Sequence, residues 1–118
     1  MTEHQHQVAL FQWAALREKA YPELKNLYAI PNGGHRNKAV AAKLKKEGVK
    51  AGYPDINLDI ARHGFNGLRI ELKAPGGRLQ NNQSEWIQRL TDAGYMAVVC
   101  VGVDSAIQTI CDYLEIER

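Results

Sequence analysis

GYPDINLDIARHGFNGLRIELK, residues 52–73, is two short apolar-alternating runs on either side of a turn-like segment at 63–67. In a strand, side chains at i and i+2 share a face. Glu71 and Lys73 therefore project together, while Leu68, Ile70 and Leu72 point the other way. Each run is expected to bury one face and present acid or base on the other. If the runs pair as a hairpin, its open ends meet and Asp55 comes to lie beside Glu71 and Lys73. Two carboxylates and one ammonium on one patch have the composition of a Mg²⁺ site that works on phosphate.

The rest of the chain sets bounds on that patch. Its 118 residues suffice for one domain, 1–118, with a sizeable core. The apolar and charged fractions are those of a globular protein, and the net charge of +2 is nearly neutral. The bases, however, are gathered: Arg36, Lys38, Lys43, Lys45, Lys46 and Lys50 crowd one quarter of the sequence. Such a cluster fits a polyanion or simply a solvated helix face. Cys100 and Cys111 match no zinc or redox spacing and read as reduced core thiols, which points to the cytoplasm. No apolar run approaches the ~20 residues that span a bilayer, and no signal-peptide pattern opens the chain.

Residues 3–20 read as a helix, with Thr2 and Gln5 as a capping box and Tyr21-Pro22 as its stop. Glu3, Gln7, Leu10, Phe11 and Ala14 fall on one side of that helix. An acid in line with a core stripe has two readings: it complements the helix dipole, or it points inward at a metal. Residues 27–30 make a first strand. Asn32-Gly33-Gly34-His35-Arg36 is either a plain turn or a loop that meets a phosphate. Residues 37–47 are expected to be helical, with Val40 and Leu44 inward, ended by Gly48. After the hairpin and the flexible Pro75-Gly76-Gly77-Arg78 comes a helix over 81–93, with Asn81 or Asn82 as cap and Trp86, Ile87 and Leu90 as its stripe. The near-continuous apolar run 95–101 suits a central, parallel strand. The last helix, 104–115, turns Ile107, Ile110, Cys111 and Leu114 inward, with Ala106 nearer its outer start. Helices interleaved with strands predict an α/β fold around a mixed sheet, with a right-handed crossover into the last strand.

Phosphodiester hydrolysis needs an in-line water, an acceptor for its proton and cations against the developing charge. Asp55 and Glu71 are the obvious metal ligands, the carbonyl of Leu72 is placed for a third, and Lys73 can orient or deprotonate the water. Taken singly, an ExK is more often a charge pair and an Asp after Pro a turn residue. The ordered combination is far more specific.

That combination resembles the PD-(D/E)XK nucleases through Pro54-Asp55 and Glu71-Leu72-Lys73, and within them the VRR-NUC (virus-type replication-repair nuclease) branch. The resemblance spans nearly the whole chain, taking in Glu3 with Gln7, Asn32-Gly33-Gly34 with Arg36, Gly52, Gln83 with Trp86, and Gly94-Tyr95. It implies a restriction-endonuclease-like core, a mixed β-sheet flanked by helices. It also implies a deoxyribonuclease using Mg²⁺ or Mn²⁺, with Glu3, Asp55 and Glu71 as acidic ligands and Lys73 as the catalytic lysine. Gln83 would position Lys73 or a phosphate. One departure is Gln80, where the family often has Ser; Gln caps poorly, so the helix is expected to start at Asn81 or Asn82. Small stand-alone members, typical of phages, look like homodimers that cut branched DNA such as Holliday junctions, in the host cytoplasm if phage-encoded. Arg36, Lys38, Lys43, Lys46, Lys50 and Arg78 would then track DNA phosphates. The Trp13 side of the first helix and apolar residues near the termini are candidate dimer surface. The alternatives are a nicking or restriction-type nuclease on linear duplex, and an inactive DNA-binding module of the same fold. Intact Asp55, Glu71 and Lys73 argue against the latter. A zinc site from His4, His6, His35 and the cysteines fails on spacing.

Overall fold

The computed structural model describes residues 1–31 and 37–118. The segment 32–36, with His35 and Arg36, lies outside the described residues. The elements are α1 (Glu3–Arg17), β1 (Leu27–Ala29), α2 (Lys38–Lys46), β2 (Ile56–Leu58), β3 (Leu68–Lys73), α3 (Asn81–Asp92), β4 (Met96–Val101) and α4 (Val103–Leu114). A 3-10 turn, Pro22–Asn26, joins α1 to β1. The four strands form one sheet in the order β1-β2-β3-β4. The first two pairings are antiparallel and β3–β4 is parallel, with Ile70 opposite Val98 and Lys73 opposite Val101. This is the mixed sheet flanked by helices that the pattern predicts.

One face of the sheet carries Ile56, Leu58, Leu68, Ile70, Leu72 and Cys100, and α1 and α4 cover it with Leu10, Ala14, Ile107 and Ile110. The Thr2 capping box forms as expected: Gln5 N–H donates to Thr2 Oγ1 at 3.1 Å and Thr2 N–H to Gln5 Oε1 at 2.8 Å. His6 is buried in α1, and its Nδ1 accepts the Val103 N–H at 3.0 Å, satisfying one of the free amides that open α4. Both cysteines are free and buried. No helix among the described residues is long and apolar enough to cross a membrane.

Several expectations need correction. β3 does not expose its polar face: all six residues are buried, including Arg69, Glu71 and Lys73. Partners compensate the buried Arg69: it meets Asp59 at 3.0 Å and Tyr53 Oη at 3.0 Å, and its guanidinium lies over Tyr95. β4 is parallel but sits at the edge, with Val99 and Val101 exposed. α1 ends at Arg17, and 18–20 form a turn. Trp13 is partly buried and packs against the core. Ala106 is wholly buried. α2 buries none of its residues, and Val40 is exposed.

Candidate active site

Asp55 immediately precedes β2, and Glu71 and Lys73 lie near the end of β3. Because those strands pair antiparallel, with Ile56 opposite Ile70, Asp55 falls beside the Glu71–Leu72 peptide. There its Oδ2 accepts the Leu72 N–H at 3.3 Å. Glu3, in the first turn of α1, completes the group: one carboxylate oxygen from each of Glu3, Asp55 and Glu71 lies within 4.8 Å of the others. No other such cluster of His, Cys, Asp or Glu exists among the described residues, so the histidines and cysteines described form no zinc centre.

Glu71 is the buried centre of the patch, at 1% exposure. Its Oε2 sits 3.6 Å from Lys73 Nζ and accepts from Gln83 Nε2 at 3.2 Å, while its Oε1 is buried with no hydrogen-bond partner. Burial pushes its pKa up to about 8; the hydrogen bond and charge of Asp55 add to this, Lys73 opposes it and Glu3 adds again. A buried carboxylate with an orphaned oxygen, crowded by two more, is an all-oxygen donor set that a hard divalent cation fits.

Gln83 joins this site differently from expectation. α3 starts at Asn81, with Gln80 as its cap residue rather than Asn81 or Asn82. Gln83 Oε1 accepts the Gln80 N–H at 2.8 Å while its amide nitrogen donates to Glu71. It therefore holds Glu71 directly, through the same oxygen that meets Lys73. Gly52 explains how α3 comes so close. Its φ is +91°, and a Cβ there would stand 2.8 Å from the Asn82 backbone carbon and oxygen. The loop into Asp55 and the start of α3 touch because this residue has no side chain.

The predicted phosphate-tracking residues Lys38, Lys43, Lys46, Lys50 and Arg78 are all exposed, the first three on α2 and Arg78 in the loop after β3. None is drawn into the carboxylate cluster. Arg36 lies outside the described residues. Composition and spacing did not single out Tyr53 or Arg69 as members of the polar face, where Arg69 bonds Tyr53 and Tyr53 meets Trp86 edge-on with centroids 5.1 Å apart. Their one sequence signal is an aromatic or a base at alternate positions beside the acidic strand residues.

A mixed four-stranded sheet with acids from α1, the entry to β2 and the end of β3, and a lysine two residues beyond the last acid, defines a restriction-endonuclease-like nuclease core. The family model of the VRR-NUC domain matches residues 1–104. A solved structure described as a VRR_NUC domain protein is 35% identical, with a TM-score of 0.84; the match covers 98% of this chain and 90% of that one. No curated protein matches. The chain belongs to the VRR-NUC family, and is thus a nuclease domain.

Proposed function

We propose that this nuclease is a divalent-metal-dependent DNA endonuclease whose reacting centre is Glu3, Asp55, Glu71 and Lys73. The observation that carries this is the meeting of three carboxylates from three elements beside one buried lysine ammonium. Mg²⁺, or Mn²⁺ in its place, would be held by Glu3, Asp55, Glu71 and the Leu72 carbonyl. In a strand, a residue's C=O faces the same neighbour as its N–H, and the Leu72 N–H already faces Asp55. When bound, the ion would supply Lewis acidity at the scissile phosphate and an acidified water. Lys73, fixed by its Glu71 contact, orients that water and takes part in its proton transfer. Gln83 locks the Glu71 carboxylate in one rotamer. The lysines of α2, with Lys50, Arg78 and Arg36, bind phosphates without reading sequence.

The substrate we favour is branched DNA, a Holliday junction among others, cut by a homodimer whose two-fold axis places two sites on two strands. Exposed Val99 and Val101 on the β4 edge and Val8 on α1 are apolar surface such a dimer could cover. The test is a panel of labelled four-way junction, flap, splayed and linear DNA in Mg²⁺, Mn²⁺ or EDTA. Junction cutting in either metal and none in EDTA is expected. Equal cutting of linear duplex would replace the branched-DNA reading with a nicking or restriction-type enzyme. Binding without cutting in either metal would make this an inactive binding module.

A further inference from the structure

Between α2 and α3 lies an open groove of about 460 Å³, within the size range of small-ligand sites. Leu44, Val49 and Trp86 give it an apolar lining, and Lys45, Lys50 and Arg89 line it with positive charge. The Arg89 guanidinium lies over the Trp86 ring, 5.3 Å from its centroid. A track for phosphates alone requires the cations but not the apolar lining. Exposed cations beside an accessible aromatic are instead the composition of a single-strand platform, on which a base stacks while its flanking phosphates meet lysine. Arginine planes serve the same purpose. The groove and the reacting centre share the start of α3: Asn82 lines the groove, and the next residue, Gln83, holds Glu71.

We propose that this groove binds an unpaired nucleobase of the DNA strand being cut. The base stacks on the Trp86–Arg89 pair against Leu44 and Val49. Lys45 and Lys50 meet its flanking phosphates, and Asn82 and Glu85, which also line the groove, face its polar edge. Paired bases are held inside the duplex stack and cannot enter. The groove thus gives a chemical reason for preferring branched or gapped DNA to continuous duplex, and in that respect it rests on the nuclease reading above.

The test separates the two. Trp13 and Trp86 are the two tryptophans of the chain. Trp13 Nε1 is buried without a partner, so Trp13→Phe removes an orphaned donor and leaves Trp86 as sole reporter. This variant is titrated in EDTA with an oligo(dT) decamer and with an abasic decamer of the same charge. Oligo(dT) should quench Trp86 emission and bind about tenfold more tightly; the abasic strand should leave the emission unchanged. By anisotropy, Trp86→Leu should bring oligo(dT) affinity down to the abasic level. Leu44→Gln, on a helix with no buried residue and so no threat to folding, should do the same. Equal affinity and equal quenching for the two decamers would overturn the proposal. So would no quenching by either, with Leu44→Gln dissolving a dimer in sedimentation, because a second copy would then own the groove. If the groove fails but metal-dependent cutting is intact, the nuclease reading stands. If oligo(dT) behaves as expected and no DNA is cut, the nuclease reading falls and the groove stands.

Discussion

At the residue scale, Glu71 concentrates the conflict between stability and chemistry. Its carboxyl is buried, one oxygen lacks a partner, and its pKa is raised to about 8 chiefly by burial. A carboxyl whose folded-state pKa lies above its unfolded value supports folding below the unfolded pKa and loses that support as pH rises through the folded one. Metal-free protein should therefore lose stability from this group between about pH 4.5 and about pH 8. Glu71→Gln should flatten that slope, raise stability in EDTA near pH 9 by about 1–3 kcal/mol, and abolish cutting. Denaturant melts at pH 5.5 and pH 9 check it; a variant less stable than the parent at pH 9 would contradict it. Metal should stabilise the parent by about 2.7 kcal/mol at a hundredfold excess over Kd, and Glu71→Gln far less, as thermal shift with and without Mn²⁺ would show.

Gly52 makes the second prediction at this scale. Gly52→Ala meets both a positive φ and the Asn82 backbone at 2.8 Å. It should destabilise by more than about 1 kcal/mol and slow cutting more than it weakens DNA binding, because the Asp55 loop is pushed off α3. Unchanged melting and cutting would show that the close approach does not position Asp55.

At the scale of elements, α2 is the exposed arm. It buries nothing and carries Lys38, Lys43, Lys45 and Lys46. Replacing Lys43 and Lys46 with Gln should leave the melting curve unchanged. The log–log salt dependence of duplex binding should flatten by about 0.9 for each phosphate that is no longer neutralised. An unchanged slope would remove α2 from the DNA path.

The elements also show what the sequence made legible. Strand and helix order, the parallel β3–β4 pairing and the Asp55–Glu71–Lys73 meeting follow from period-2 alternation, a Pro-Asp entry and an apolar final strand, all local patterns. Burial of the polar face of β3 does not, because it depends on Tyr53, Asp59 and Gln83 arriving from other elements to pair with Arg69 and Glu71. The apolar run of β4 reads as central because its composition is apolar on both faces. Yet β4 is last in the sheet order, and its Val99–Val101 face stays exposed. Glu3 is ambiguous by itself. Its placement depends on α1 packing against α4, an interface that includes the buried His6 and the Val103 N–H and that helical periodicity alone does not reveal.

At the scale of the whole molecule, the apolar core and most of the buried charged groups lie on opposite faces of one sheet, and Glu3 joins the carboxylate cluster from the first turn of α1. The α1 and α4 side holds the apolar core. The other side holds Arg69, Glu71 and Lys73, reached by α3 and flanked by the basic arm. A homodimer that covers the exposed Val8 of α1 predicts that Val8→Glu shifts sedimentation from dimer to monomer. Loss of paired junction cuts in favour of single nicks should accompany it. A parent that is monomeric at micromolar concentration would contradict the symmetric arrangement.

If the Glu3–Asp55–Glu71 cluster is where DNA is cut, its loss must separate cutting from binding. Cleavage of a labelled four-way junction by parent and Asp55→Ala, side by side in Mg²⁺, tests this most directly. Asp55→Ala should still bind the junction but cut it at least about a hundredfold more slowly, as expected when a group that stabilises the transition state is removed. Cutting by Asp55→Ala at the parental rate would contradict the assignment.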